Sequence, residues 1–250
     1  MDREENQKPA RAAKPEQNSG EGHRERLRER FLTGGLDGFL DYEVVELLLT
    51  LGTPRRDCKQ TAKEAVRRFR SLEGVLAASR AELCQVPGIG PRNAFGILLC
   101  QAVARRYLKE KARGKDAVNS PRELMDFLQH ALRDKKTESF LVIFLDNQNQ
   151  VLDLATLSEG TVNESAVYPR EIARAALERH AAAVILAHNH PSGKAGPSDA
   201  DIAVTLETMR ALHPLGIRVH EHLIIGENSF FSFTQNKLMV QLRKQCGIAP

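Results

Sequence analysis

Paired cysteines are missing from this sequence. Its four cysteines, Cys58, Cys84, Cys100 and Cys246, are scattered with no Cys-x-x-Cys spacing. That speaks against both a cysteine zinc site and a disulfide framework. Long apolar runs are missing as well: none approaches the roughly 18 residues that a membrane helix needs. The N-terminus has no apolar stretch of the signal-peptide kind. Together these absences point to the cytoplasm and away from a membrane partner. The first 22 residues are nearly free of large apolar side chains and are expected to be disordered. No internal repeat is visible. What is present is ordinary for a soluble globular chain: 250 residues, 42% hydrophobic and 27% charged, enough for one large domain or two small ones.

The charge is unevenly spread. Residues 1–120 carry 23 Lys and Arg against 17 Asp and Glu, while 121–250 carry 13 against 15. Most of the excess falls in 51–120, with 15 against 6, a local net of +9. A basic segment beside a slightly acidic one suggests two domains with different partners. Phosphate backbone is the natural partner for the basic one, and a solvated, arginine-rich helix surface is the competing reading.

The first half reads as helical from His23. Asp41 is placed to cap a helix over Tyr42–Leu51, closed by Gly52-Thr-Pro54. A basic helix over Cys58–Phe69 and a short one over Ser71–Ala78 follow. Then comes Val86-Pro87-Gly88-Ile89-Gly90-Pro91-Arg92-Asn93-Ala94, leading into an apolar-periodic segment over Phe95–Tyr107. Its glycines permit a tight turn at positive φ, and Pro91 suits the first position of the next helix. Backbone N–H groups at such a turn can hold a phosphate oxygen, with Arg92 placed to assist. This string is similar to the hairpin of a helix-hairpin-helix domain. The resemblance implies DNA binding through Gly88, Gly90 and Arg92, against a bland reading as a packing hairpin. Lys109–Ala117 reads as a linker.

The second half alternates helices and strands. Ser120-Pro121-Arg122-Glu123 has the form of a capping box ahead of a helix carrying Leu124, Phe127, Leu128, Ala131 and Leu132. Glu138–Leu145 and Val151–Leu157 read as strands joined at Asp146–Asn149. A helix over 169–179 precedes the apolar run Ala182–Ala187. That run has the length of a buried strand, and it ends in His188-Asn189-His190-Pro191, then Ser198 and Asp201. Histidines two apart in extended backbone project to one side. Ser198 reads as an N-cap, with Asp201 in the first turn of a helix that runs to about Leu212. Two imidazoles and a carboxylate give three ligands and leave a tetrahedral position open, the pattern of catalytic zinc. A closing hairpin over Arg218–Phe233 contains a second His-x-His, His220 and His222. With no carboxylate at matching spacing, that pair reads as ordinary strand histidines, with metal ligation as the rival. Residues 237–250 read as a short basic tail.

The spacing His-x-His-x7-Ser-x2-Asp resembles the JAMM motif of the JAB/MPN metalloprotease superfamily. The fuller string HNHPSG…PSDAD resembles its RadC-like branch. The resemblance spans about residues 25–236. It implies an α/β fold, a mixed sheet sandwiched by helices, over 120–236. A smaller all-α helix-hairpin-helix-type domain over 23–112 and a linker over 113–119 complete the expected chain. It also implies one Zn²⁺ per chain on His188, His190 and Asp201, and cleavage of a peptide or isopeptide amide in a peptide or protein substrate.

In the JAMM pattern the base is a glutamate at the start of a strand after a first helix, which is the place of Glu138. Glu159, Glu164 and Glu171 are its competitors. The matching serine, Ser198, donates to the developing oxyanion in that pattern, beside its reading as a cap. RadC-like sequences tend to carry Asp-His where this chain has Glu221-His222. Members of the branch have been labelled DNA repair proteins, an association the residues themselves do not carry. Two other functions compete. One is a DNA-binding repair or recombination factor with a structural or non-proteolytic metal domain. The other is a metal-dependent nuclease, which the two-histidine, one-carboxylate set suits less well than a single zinc.

Overall fold

The computed structural model describes residues 19–53, 57–119, 121–133, 135–160, 167–227 and 229–248. The disorder expected for 1–22, the Pro54 helix stop, the Ser120 end of the capping box and Glu164 fall wholly or largely outside them. The chain divides into two units, Met1–Leu99 and Cys100–Pro250.

The first unit is helical: α1 (Ser19–Gly34), α2 (Asp41–Thr50), α3 (Lys59–Phe69), α4 (Leu72–Ala77), α5 (Arg80–Leu83) and the start of α6 (Ala94–Ala112). Its core gathers Val45 and Leu49 of α2, Ala62 and Ala65 of α3, and Val75, Leu83, Val86, Ile89 and Ile97. Small residues on α3 let helices approach closely. Gly96 serves the same end, since a Cβ there would run into the Leu48 carbonyl. Asp41 does not cap its own helix. Leu40 occupies that position, its N–H donating to Glu43 at 3.0 Å, while the Asp41 carboxylate accepts from the Leu72 N–H of α4 at 2.8 Å.

The second unit holds a five-stranded mixed sheet. Its strands are β1 (Glu138–Leu145), β2 (Val151–Gly160), β3 (Ala183–Asn189), β4 (Arg218–Ile225) and β5 (Phe230–Ser232), in the order β2-β1-β3-β4-β5. β3 and β4 run parallel and the other pairs antiparallel. Period-two alternation feeds two cores. Leu141, Ile143, Leu145 and Ile185 face α7 (Arg122–Leu132). Phe140, Val142, Phe144, Val184 and Leu186 face α8 (Pro169–Glu178), α9 (Asp199–Leu212) and α10 (Leu238–Gln245). The sheet is thus covered on both sides by helices, the α/β architecture expected.

Two stretches differ from expectation. α6 continues to Ala112, and Ala112 and Ala117 are buried against the α7 face, so part of Lys109–Ala117 is core. The basic tail contains α10, whose Met239 and Leu242 complete the opposite core. Among the described residues, no helix is long and apolar enough to cross a membrane.

Candidate metal centre

β3 carries the site. His188 has the parity of Val184 and Leu186, so it points toward α9 and away from α7. It is fully buried and stacks on Phe140, its direct neighbour across β1, with ring centroids 5.8 Å apart. The loop after β3 returns tightly: Gly193, at φ +74°, accepts from the Glu227 N–H at 3.1 Å. Ser198 then caps α9. Its hydroxyl takes the Asp201 N–H at 3.2 Å and donates to Asp201 Oδ2 at 2.7 Å, while its own N–H also donates to Oδ2 at 2.7 Å. This capping box fixes the Asp201 side chain and leaves Oδ1 facing His188.

The three residues converge. His188 Nε2 lies 2.9 Å from Asp201 Oδ1, His190 Nε2 lies 3.3 Å from Oδ2, and the two Nε2 atoms are 3.0 Å apart. His190 Nδ1 is 2.9 Å from the Lys194 carbonyl. A carbonyl can only accept, so Nδ1 carries the hydrogen, and in the neutral ring Nε2 holds a lone pair. Ring nitrogens this close, beside a carboxylate, call for a shared proton or a cation. Burial works to raise the Asp201 pKa, but the adjacent His188 and His190 rings outweigh it and hold the carboxyl well below the usual carboxylate range. His190 is shifted upward, chiefly by its bond to Asp201, against the opposing effect of burial.

The donors fit a divalent metal. Two nitrogens on a tetrahedral zinc with bonds of ~2.0–2.1 Å sit about 3.3 Å apart, close to the spacing found. Among the described residues, His188, His190 and Asp201 form the group whose ligand atoms lie within 4.8 Å of one another.

Glu138 opens β1 with the parity of Phe140 and Val142, hence on the face of His188. The β1–β3 ladder ends at Phe140 and His188, and Glu138 and His190 each lie two residues beyond it, at the same end of the sheet. The Glu138 charge is close enough to contribute to the upward shift of His190. The competitors are engaged elsewhere. Glu159 is ion-paired with Lys135, which lowers its pKa, and Glu171 on α8 pairs with Arg174 at 2.8 Å.

Three residues at this end of the sheet carry roles that the sequence reading did not assign. Asn189 accepts from the Ser139 N–H at 2.9 Å and donates to the Lys135 and Thr137 carbonyls at 3.1 and 3.2 Å. It therefore clamps the connection that delivers Glu138. Its place between the two histidines was the available signal, since the residue between them must point to the opposite face.

His222 and Thr205 are the other two, both fully buried. His222 Nε2 is 2.9 Å from His188 Nδ1, and His222 Nδ1 is 2.7 Å from Thr205 Oγ1. Burial pushes the His222 pKa well below the ordinary imidazole value, with His188 adding to the effect. The second His-x-His is divided by a bulge. Val184 pairs with Val219 and Ile185 with Glu221, so His220 is passed over. Glu221 turns away from the ligands: it accepts from the His222 and Thr234 N–H groups and the Ser232 hydroxyl, closing the β4–β5 hairpin.

The hairpin of the first unit is formed as well. Gly88 has φ +88°, and the exposed Arg92 stands at the turn. Gly90 is not in the left-handed region; its N–H goes to Asn93 Oδ1 at 2.7 Å, while Asn93 Nδ2 donates to the Gly88 carbonyl at 2.8 Å. α6 begins at Ala94, so Pro91 lies in the turn before it instead of in its first position.

Known proteins resemble this chain along most of its length. Residues 118–238 match the family model described as RadC-like JAB domain, and residues 22–95 match the one described as UPF0758 N-terminal. A UPF0758 protein of Fusobacterium nucleatum is 38% identical over 226 residues, covering 88% of this chain and 97% of that protein. Another from Nitrosospira multiformis is 40% identical, covering 86% of this chain and 96% of its own length. The chain belongs to the UPF0758 family. A third UPF0758 protein, from Rhodobacter capsulatus, is 40% identical and is covered along its whole length. The RadC-like JAB domain belongs to a superfamily that includes metallohydrolases. Its matched span holds the His188, His190 and Asp201 group.

Proposed function

We propose that the C-terminal part of the chain is a zinc-dependent hydrolase of peptide or isopeptide amides. His188, His190 and Asp201 would hold one Zn²⁺ per chain, and Glu138 would act as the proton acceptor. The observation that carries this reading is the convergence of two Nε2 atoms and the Asp201 carboxylate, with the Glu138 charge near enough to His190 to shift it upward. Two imidazoles and a carboxylate suit zinc.

A zinc ion there supplies Lewis acidity that makes water a nucleophile near neutral pH. Glu138 takes the proton from the attacking water and returns it to the leaving nitrogen, work worth typically 10²–10⁴ in rate. Asn189 keeps the start of β1, and with it Glu138, in place. Ser198 positions Asp201, and its hydroxyl hydrogen lies on Oδ2. It can donate to an oxyanion only by breaking that bond, while its oxygen still accepts the Asp201 N–H and keeps the cap; one hydrogen bond to a charged group is exchanged for an oxyanion contact of about 3 kcal/mol.

A second proposal concerns the N-terminal part, residues 23–112, as a binder of nucleic-acid phosphates. It rests on the positive-φ turn at Gly88, the exposed Arg92 and the 9 Lys and Arg against 4 Asp and Glu over 51–99.

The test of the first reading is a metal analysis of the purified full chain, followed by a cleavage screen of peptides against DNA. Near-stoichiometric zinc and amide hydrolysis that falls at least about 100-fold in Glu138→Gln, with zinc retained, are the expected results. Cleavage of DNA instead would make it a nuclease. Zinc without hydrolysis of either would leave a non-proteolytic metal domain in a DNA-binding factor.

A further inference from the structure

His188 and His190 are held from behind in different ways. His190, partly exposed on a loop, is oriented by the Lys194 carbonyl four residues on. His188 lies inside the sheet with no exposed surface, and its Nδ1 meets a side chain, His222. What His222 offers is decided one contact further out. Thr205 follows Asp201 by one turn of α9, and its hydroxyl oxygen is 2.5 Å from the Asp201 carbonyl and 2.7 Å from His222 Nδ1. A carbonyl oxygen only accepts, so the single hydroxyl hydrogen goes to Asp201. Thr205 Oγ1 is then left to accept, and His222 must donate to it from Nδ1. A neutral ring with its hydrogen on Nδ1 has a lone pair at Nε2, and that atom lies 2.9 Å from His188 Nδ1. His188 therefore donates from Nδ1, and its Nε2 lone pair is the one that faces Asp201 and His190.

We propose that Thr205 and His222 are positioning residues that lock His188 in the tautomer able to ligate a metal through Nε2. The inference rests on the zinc reading above and deepens it. The chain of bonds starts at the backbone of one ligand, Asp201, and ends at the ring of another, so it ties the two together. All three side chains are fully buried. Water cannot take over a missing bond there, and a broken link leaves an unpaired polar group. The bulge at His220 is what allows this. Val219 and His222 are three residues apart, yet both face α9, which an unbroken period of two forbids.

The test uses the full chain and reads zinc affinity by competition with a chelating dye. It also reads the ring-nitrogen assignment of His188 in the zinc-loaded protein by ¹⁵N NMR. Thr205→Val keeps the shape and removes the hydroxyl, and should weaken zinc binding by roughly 10–100-fold, the usual range for such outer partners. Thr205→Ser should restore it. His222→Leu should lose at least as much as Thr205→Val, and His222→Gln, which keeps an acceptor for His188, should lose less. The wild-type spectrum should show hydrogen on Nδ1 and metal on Nε2 of His188.

A purely structural role would lower the melting temperature of these variants and leave zinc affinity unchanged, which would overturn the proposal. Metal on Nδ1 of His188 would overturn it even if Thr205→Val failed to fold. Wild-type protein that takes up no zinc would instead sink the zinc reading itself, and the relay with it.

Discussion

Both units of this chain bury polar side chains, but they use them differently. In the helical unit two of the buried polar groups, Glu43 and Asn93, brace the backbone, while buried Glu46 lies 3.4 Å from the His23 ring. Glu43 takes the Leu40 N–H and the Arg30 guanidinium, and Asn93 spans the Gly88 carbonyl and the Gly90 N–H. In the sheet unit, His188, Asp201, His222 and Thr205 are bonded mainly to one another, at one end of β3. Bracing groups explain themselves, because the turn or helix end they satisfy would otherwise hold an unpaired amide. A cluster of buried imidazoles around a carboxylate explains no turn. Such a cluster costs desolvation that apolar residues of the same volume would avoid. The difference separates a motif of shape from a motif of chemistry. Pro87-Gly88-Ile89-Gly90 is accounted for by the turn it makes, whereas His188, His190 and Asp201 call for a shared proton or a cation.

The sharpest way to break that contrast is to remove a ligand. Asp201→Ala takes away the carboxylate and leaves two facing ring nitrogens. Its zinc affinity should fall by more than the roughly 100-fold that an outer-partner change costs, and His188→Ala should do the same. Metal per chain, measured by atomic emission after dialysis, should drop from near one to near none. Full retention in both variants would mean that the cluster is a bracing network like those of the helical unit.

A smaller effect follows from protons. In the metal-free protein His190 is shifted upward by Asp201, so below that raised pKa it holds a proton that zinc must displace. Zinc affinity should therefore be fullest above the His190 pKa and fall with acidification, by about tenfold per pH unit for each displaced proton. Titrations with a chelating dye from pH 8 to pH 6 would show it. A flat profile would mean that His190 is not a ligand.

The same contrast decides what could be read from the residues alone. The candidate group His188, His190 and Asp201 was legible because its side-chain types are specific and lie within 14 residues of one another on a strand, a loop and a helix start. The strands were legible as apolar runs, and the cap at Ser198 as a box. His222 was not. Its partner Thr205 lies 17 residues away on another element, and the bulge at His220 breaks the alternation that would have assigned its face. α10 was missed because Leu238, Met239 and Leu242 stand among basic and polar residues, and their burial depends on a core built by distant strands. Glu221 holds the β4–β5 hairpin through Ser232 and Thr234, a contact no local pattern announces.

The smallest expected effect tests whether the helical unit has a chemistry of its own. Two hairpin N–H groups are already engaged, Gly90 with Asn93 and Ile89 with the Val86 carbonyl, so a bound phosphate would depend heavily on Arg92. If the proposal of phosphate binding holds, the full chain should bind duplex DNA without strong sequence preference, since phosphates carry no base information. Affinity should fall steeply with salt, and Arg92→Ala should make the log–log salt slope shallower by about 0.9, one released counterion. Because Arg92 is exposed, that variant should keep its stability within about 0.5 kcal/mol. Gly88→Val is the control for shape. It forces a β-branched residue to φ +88° and sets a Cβ 2.5 Å from Thr61 Oγ1, so it should destabilise the helical unit by roughly 1–3 kcal/mol. DNA binding lost in Gly88→Val but untouched in Arg92→Ala would show that the turn matters only as a turn. A shallower slope in Arg92→Ala at unchanged stability would show that the hairpin meets phosphate, and that the helical unit carries chemistry as well as shape.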